Sequence, residues 1–474
     1  MNWLEKKLHQ AEDLWDRSLD RHVRIAVTGL SGAGKTAFIT SLINQLLHAP
    51  NDHHLTFFQV DSEHRLKATK LMMHEELHIP SFDYQGAIHA LTSDNPSWAP
   101  STVGISQAQI KCRYEIKDRW LKKLKSESAI TLDIVDYPGE WLLDLPLLNL
   151  SFKEWSKLCL SYISSERRKP YTTDVKKNIE TLNYEQDYSD PTLLKNLDDI
   201  SQSYRESLSL YRQNHNDYSL ALPGRFILPG DLSGAPALSF FPVINRDILS
   251  IEWDDFASDS LLKVLERRFD YYKDKIVKPF FKEYFSKVDR QIVLIDTLSV
   301  LESNYDSYQD LKSTIEKLLN GFSYGRANWF RRLFSPSIDK LMIVTSKADL
   351  VPPDQHHAIE SFMQKLVGQV KNDIGFEGVE VDTMAISAIA TSEPVSTEYQ
   401  GQNLLCVKGI DIESGEPVIN YPGLIPNTSL SREQWQQLAI DFSPFAIPQL
   451  NPDEALPHIR MDKVLQYLVG DKFA

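Results

Sequence analysis

The feature that most constrains this chain is a strand, a glycine-rich turn and a helix in immediate succession. Residues 24–28 (RIAVT) are apolar and β-branched. They run into Gly29-Leu30-Ser31-Gly32-Ala33-Gly34-Lys35-Thr36, and the following AFITSLINQLLH has apolar residues at helical spacing. Glycines at this spacing let successive backbone N–H groups curl around a phosphate, and the helix that starts there adds the positive end of its dipole. A lysine at position 35 reaches the β- and γ-oxygens of a nucleotide, and the Thr36 hydroxyl ligates Mg²⁺. The expected phosphate-binding set is therefore Gly29, Ser31, Gly32, Ala33, Gly34, Lys35 and Thr36.

A loop of this kind belongs at the edge of a parallel sheet, and the rest of the chain supplies one. Further strands are expected at 110–116, 129–135, 291–295, 341–345 and 379–386. A helical pattern separates each from the next except the 110–135 pair. The expected fold class is α/β: a P-loop NTPase sheet with flanking helices and one antiparallel edge strand. Between 141 and 285 the β-branched runs give way to charged, aromatic stretches such as SFKEWSKLCLSYISSERRK, which read as a large, mostly helical insertion broken by the Pro/Gly-rich segment 222–242. Beyond 396 a small β element and a short helical tail are expected. The expected division is an N-terminal amphipathic helix over 1–20, a discontinuous nucleotide domain over 21–140 and 286–395, the insertion over 141–285, and a C-terminal extension over 396–474.

Composition narrows the function classes. A net charge of −14 argues against generic nucleic-acid binding, so a bound phosphate must be held by local donors. Three scattered cysteines and no CxxC pair fit a reducing compartment without a disulfide framework. The first twenty residues lack the apolar core of a signal peptide, and no run approaches the 18 apolar residues that cross a bilayer. A cytoplasmic protein without a transmembrane segment is expected. Leu4, Leu8, Ala11, Trp15 and Leu19 share one helical face, which suits docking on the protein body and leaves peripheral membrane contact open.

Nucleotide chemistry requires further residues. Three strings fit DxxG, whose aspartate serves the metal and whose glycine N–H meets a γ-phosphate. They are Asp83 with Gly86, Asp231 with Gly234, and Asp136-Tyr137-Pro138-Gly139. Only the last follows an apolar strand, AITLDIV, which delivers Asp136 to the strand end where ligands bind. Two strings supply [ST]KxD for guanine recognition. Ser286-Lys287-Val288-Asp289 precedes its strand, whereas Ser346-Lys347-Ala348-Asp349 directly follows KLMIVT, so Ser346, Lys347 and Asp349 are the expected base-binding set. Ser387-Ala388-Ile389, at the end of VEVDTMAIS, would offer backbone N–H groups to the base oxygen. Thr102 precedes the strand that pairs with the Asp136 strand and is a candidate for Mg²⁺ and γ-phosphate contact, a surface-turn threonine being the alternative. Glu140, after the DxxG glycine, is expected to orient the attacking water, so Lys35, Glu140 and Thr102 form the expected catalytic set. A carboxylate there also repels the γ-phosphate, so slow intrinsic turnover is expected. Arg326, Arg331 and Arg332 among aromatics read as an amphipathic helix, with an arginine finger as the alternative. His74-Glu75-Glu76-Leu77-His78 matches HExxH, but Pro80 ends its helix at once and no third ligand follows, so it reads as a solvated face.

Taken in order, GLSGAGKT, a switch threonine, DYPG, SKAD and SAI resemble the motifs of the TRAFAC-type, Ras-like GTPases. GLSGAGKT, DYPGEWLLDLP, the helical insertion and the late SKAD together resemble the YcjX-like family of bacterial P-loop proteins over most of the chain. The resemblance implies a cytoplasmic protein that binds GTP and GDP with Mg²⁺, hydrolyses GTP and is associated with envelope or heat stress, with membrane-stress proteins as partners. One position departs from the general pattern: the usual Asn of NKxD is Ser346, which loses an amide that ties the base loop to the P-loop. A P-loop ATPase or kinase, and an adaptor that keeps nucleotide as a structural ligand, remain the competing functions.

Overall fold

The computed structural model describes residues 21–473 apart from 30–31, 74–75, 77, 101–103, 118–125, 167, 190, 216–223, 324–337, 377, 400 and 429. The expected N-terminal helix, Ser31, Thr102, most of the HExxH string and the arginine-aromatic run lie outside the described residues. The chain divides into two compact units: Met1–Tyr137 with Val288–Glu302 and Ser337–Ala474, and Pro138–Lys287 with Ser303–Pro336.

The first unit holds a seven-stranded sheet of β1 (Arg21–Gly29), β2 (Leu66–Met72), β3 (Ser106–Glu115), β4 (Glu127–Asp136), β5 (Arg290–Ile295), β6 (Lys340–Thr345) and β7 (Glu380–Ala385), in the order β2-β3-β4-β1-β5-β6-β7. Strands β4, β1, β5, β6 and β7 run parallel, and β3 runs against both β4 and β2. This corrects the expectation of an antiparallel strand at the edge: β3 is covered by β2, which the sequence pattern does not reveal. The β2 segment LKATKLM buries only its first residue and otherwise presents lysines and small residues, as a protected edge does.

Alternation assembles the core. Val23, Ile25 and Val27 of β1, Ile130, Leu132 and Ile134 of β4, Ile292 and Leu294 of β5, and Met342 and Val344 of β6 recur every second residue and so share a face. Phe38, Ile39, Leu42, Ile43 and Leu46 of the helix Lys35–Asp52 join the same core. So do Met461, Val464, Leu465 and Leu468 of the terminal helix Met461–Val469, at i, i+3, i+4 and i+7. Each fully buried aliphatic or aromatic side chain contributes about 1.5–3 kcal/mol, so the tail is part of this fold's core. The fully buried Arg290 fastens it, donating to Leu468 O at 2.8 Å and pairing with Asp471 at 2.8 Å and with Asp339. A three-stranded antiparallel sheet, β8 (Ser392–Tyr399), β9 (Gln402–Ile410) and β10 (Pro417–Asn420), forms the expected small β element.

The second unit is helical, with no named strand among its described residues. Its centre is aromatic: Trp155 stacks on Phe269 at 5.0 Å, and Phe240 lies against both Trp155 and Tyr272. The segment after the DxxG glycine, Gly139–Asn149, is a run of tight helical turns with Glu140, Trp141, Leu142, Leu143, Asp144, Leu145 and Leu147 buried. Asp144 accepts from Gly224 N at 2.5 Å, Arg225 N at 3.0 Å and Tyr272 Oη at 2.8 Å. Burial pushes its carboxyl up to about 7, against the lowering effect of those donors. Gly224 passes so close to the Glu140 carbonyl that an added Cβ would stand 1.8 Å from its oxygen.

Candidate functional site

Register places the motif residues of the first unit. In β4 and β1, Asp136 lies opposite Val27. In β1 and β5, Gly29 lies opposite Leu294, and Ile295, Thr345 and Ala385 are aligned across β5, β6 and β7. Gly29, Asp136, Ser346 and Ser387 therefore all leave one C-terminal sheet edge, the edge where parallel α/β sheets bind ligands.

At the P-loop the backbone explains the glycines. Gly32 and Gly34 have φ of +83° and +78°, which L-residues rarely adopt. At Gly29 an added Cβ would come to 3.0 Å from both the Leu294 side chain and its carbonyl oxygen. Gly34 caps the helix Lys35–Asp52, and its carbonyl accepts from Phe38 N at 2.9 Å. Ala33 is buried, and Thr36 stands half-buried in the first turn.

Lys35 Nζ lies 2.9 Å from Asp136 Oδ1, with side-chain exposures of 11% and 1%. The contact lacks hydrogen-bond geometry, and neither carboxylate oxygen of Asp136 has a hydrogen-bond donor among the described residues. A buried carboxylate left with one ammonium neighbour has unused coordinating capacity. The chemistry of such a carboxylate, with the Thr36 hydroxyl in the first turn after the glycine loop, fits the hard, oxygen-seeking Mg²⁺ that the sequence implies. The next residue, Tyr137, is pinned: its hydroxyl donates to Gln291 Oε1 at 2.9 Å, and Gln291 Nε2 donates to Ala26 O and Ile292 O. Gly139 and Glu140 belong to the second unit, where Glu140 is buried.

The loop 346–349, the expected base loop, is more heavily built than its motif suggests. Lys347 adopts φ +62°, and its Nζ meets Asp296 Oδ2 at 2.5 Å. Asp296 follows β5 and also takes the Ser299 N–H and hydroxyl. Asp349 is buried, and its Oδ2 accepts from both the N–H and the hydroxyl of Thr391 at 2.9 Å, leaving Oδ1 with no partner among the described residues. Asp296 and Thr391 escape the motif reading, although an Asp closing an apolar strand ahead of Thr-Leu-Ser is a legible cap signal. His356 Nε2 meets the carbonyls of Ala348 and Val351 at 2.9 and 3.0 Å, bracing the loop from behind, and burial lowers its pKa.

Ser387 does not offer its N–H to a ligand. That group donates to Ile459 O at 3.1 Å, and its hydroxyl donates to Ile389 O. The N–H groups of Ala388 and Ile389 have no acceptor among the described residues, while the Ile389 side chain joins the core. The hydroxyl of Ser346 is buried without a partner.

The rival strings have local explanations. Asp83 caps the helix Tyr84–Thr92 and accepts from Gly86 N at 2.9 Å. Asp289 accepts from Arg24 N at 2.8 Å, at the N-terminal end of its strand. Of the HExxH string, Glu76 pairs with Arg24 at 3.0 Å.

Residues 23–473 match the model of the YcjX-like family. The chain belongs to the YcjX-like family. A Shewanella oneidensis relative named Ras-like GTPase YcjX is 38% identical over 492 residues, spanning 100% of both chains. An Escherichia coli K12 relative of the same name is 34% identical over 474 residues, spanning 99% of this chain and 100% of its own. Family membership and the seven-stranded sheet together make the first unit a P-loop GTPase fold. Among the described residues no helix is long and apolar enough to cross a membrane.

Proposed function

We propose that this chain binds GTP and GDP with Mg²⁺ and hydrolyses GTP to GDP and phosphate, slowly until a partner accelerates it. The observation that carries this reading is the Asp136 carboxylate, buried at 1% exposure beside Lys35, with no hydrogen-bond donor on either oxygen among the described residues. Asp136 and the Thr36 hydroxyl, with Thr102 from the motif, would hold Mg²⁺, which supplies charge neutralisation at the β- and γ-phosphates. Lys35 would leave Asp136 for the phosphate oxygens, and the N–H groups of the glycine loop, from Gly29 to Gly34, would close around them. Asp349 Oδ1 would accept from the guanine ring N–H and amine, with the Ala388 and Ile389 N–H groups donating to the base oxygen and the Lys347 stem alongside. By motif position Gly139 would donate to the γ-phosphate and Glu140 would orient the attacking water.

Release of the γ-phosphate would relax the segments that contact it and give the chain two states, as suits a cytoplasmic stress-response switch with a protein partner. The test is calorimetric titration of nucleotide-free protein with Mg²⁺ and GTP, GDP or ATP, beside Asp349→Asn. Guanine nucleotides should bind, ATP should not, and the variant should lose the preference. Equal binding of ATP would leave a P-loop ATPase or kinase, and tight GTP retention without phosphate release would leave an adaptor.

A further inference from the structure

The base loop lacks the amide that usually ties it to the P-loop, since Ser346 stands where an asparagine is expected and its hydroxyl is idle. Another segment of the first unit makes that connection. Residues 456–460 bond both to the P-loop helix and to the base loop, Leu456, Pro457 and Ile459 through their main chain and Arg460 through its side chain. On the helix side, Leu456 N donates to Asn44 Oδ1 at 2.8 Å and Leu456 O accepts from Gln45 Nε2 at 2.7 Å. Both side chains are buried, and Gln45 Oε1 is held in turn by His54 Nε2 at 2.6 Å. On the base-loop side, Pro457 O accepts from Ala390 N at 2.8 Å, while Ile459 and Ser387 exchange two bonds, at 2.8 and 3.1 Å. Arg460, at φ +64°, closes the segment with bonds to Ala385 O and to Glu360, whose carboxylate also takes Ala385 N.

We infer that this strap positions the base-recognition loop, with Asn44 and Gln45 as positioning residues for guanine selectivity. The inference rests on the nucleotide reading above. The chain of contacts is continuous: Asn44 and Gln45 set Leu456, the strap sets Ser387 and Ala390, and the next residue, Thr391, sets the carboxylate of Asp349. Consuming the Ser387 N–H and the Ala390 N–H fixes the turn between them, so that the Ala388 and Ile389 N–H groups are left as its unpaired donors. A loop held at both ends in this way meets the base without first being ordered, so less of its binding energy goes into ordering. Among the described residues no hydrogen bond joins the strap to a P-loop glycine, so loosening it is expected to act on the base contacts and spare the phosphate contacts.

The test compares wild type, Asn44→Ala, Asn44→Asp and Asp349→Asn in binding Mg²⁺ with GDP, ADP or inorganic pyrophosphate, with cooperative melting as the check on folding. Asn44→Ala removes the acceptor for the Leu456 N–H, whereas Asn44→Asp keeps one. The expected result is a loss of about tenfold or more in the GDP-over-ADP ratio for Asn44→Ala, unchanged pyrophosphate binding, and recovery of most of the ratio in Asn44→Asp. Should Asn44→Ala fail to fold, Arg460→Met, which loosens the far end of the strap from the surface, is expected to lower the same ratio. A folded variant with the strap contact broken and the wild-type ratio intact overturns the inference while the Asp349→Asn result keeps the guanine reading. A wild type without guanine preference overturns the reading beneath it and the inference with it.

Discussion

Substituting Lys35 by methionine should destabilise the nucleotide-free protein more than substituting Asp136 by asparagine, and combining the two should restore stability. The asymmetry follows from burial. Asp136 is 1% exposed with Lys35 Nζ at 2.9 Å as its one cationic neighbour among the described residues, so Lys35→Met strands a desolvated carboxylate. Breaking a buried pair in this way costs about 3–5 kcal/mol. Lys35 is 11% exposed on a flexible stem and can turn its ammonium to water when Asp136→Asn removes the partner, which costs less. In a unit of this size a loss of about 3 kcal/mol lowers its melting temperature by roughly 6–12 °C. The double variant removes both charges, and its destabilisation should fall well short of the sum of the singles. Thermal melting of the four nucleotide-free proteins, followed by intrinsic fluorescence, completes the cycle. Additive losses, or a Lys35→Met protein as stable as wild type, would refute the claim that this pair holds the empty site together. The cycle is separate from nucleotide binding, which all three variants should weaken.

Gly224→Ala should disrupt the second unit, because a Cβ there meets the Glu140 carbonyl oxygen at 1.8 Å; a cost of about 3 kcal/mol or more is expected in urea unfolding followed by tryptophan fluorescence. Mild acid should weaken the first unit through its buried histidines. Burial lowers the pKa of His54, His356 and His458, so the unfolded chain takes up protons first, and stability is complete above pH about 6.5 and falls as pH drops through that value. Melting at pH 7.5 and 5.5 should show the loss, and His458→Asn should reduce it. Asp144 works in the opposite sense: its folded pKa is raised to about 7, so its contribution is complete below pH about 4 and is lost as pH rises through 7. Infrared spectroscopy should find a protonated carboxyl near neutrality that Asp144→Asn removes.

The sequence shows its phosphate half more clearly than its base half. Gly32, Gly34 and Lys35 have a fixed spacing because the chemistry tolerates no other, and the strand before them is apolar enough to locate. DYPG and SKAD are separable from their rivals because strand direction decides which end of the sheet a segment leaves, and both leave its C-terminal edge. Strand β2 was not legible, since an edge strand that buries one residue in seven carries almost no hydrophobic period. Thr391 and Asp296 lie outside the strings that define the motifs and act on them through side chains of ordinary type. The strap left little signal because Leu456, Pro457 and Ile459 bond through main-chain groups, which every residue has, and Arg460 adds a side chain of ordinary type. Ser387 shows the limit of the motif reading: it leaves the C-terminal sheet edge as expected, but Ile459, far along the chain, takes its N–H.

The strap also bears on how the protein is made. The bonds from Gln45 and Asn44 to Leu456 span 411 and 412 residues of chain. Contacts at such separation close late, because the entropy of bringing the ends together is spent before the contact rewards it. During synthesis the glycine loop emerges early and waits through nearly the whole of translation for the segment that completes its neighbour. A product that stops short of Leu456 would carry every recognisable nucleotide motif and an unbraced base loop. On the proposed function, competence to recognise guanine would thus mark a chain translated at least that far.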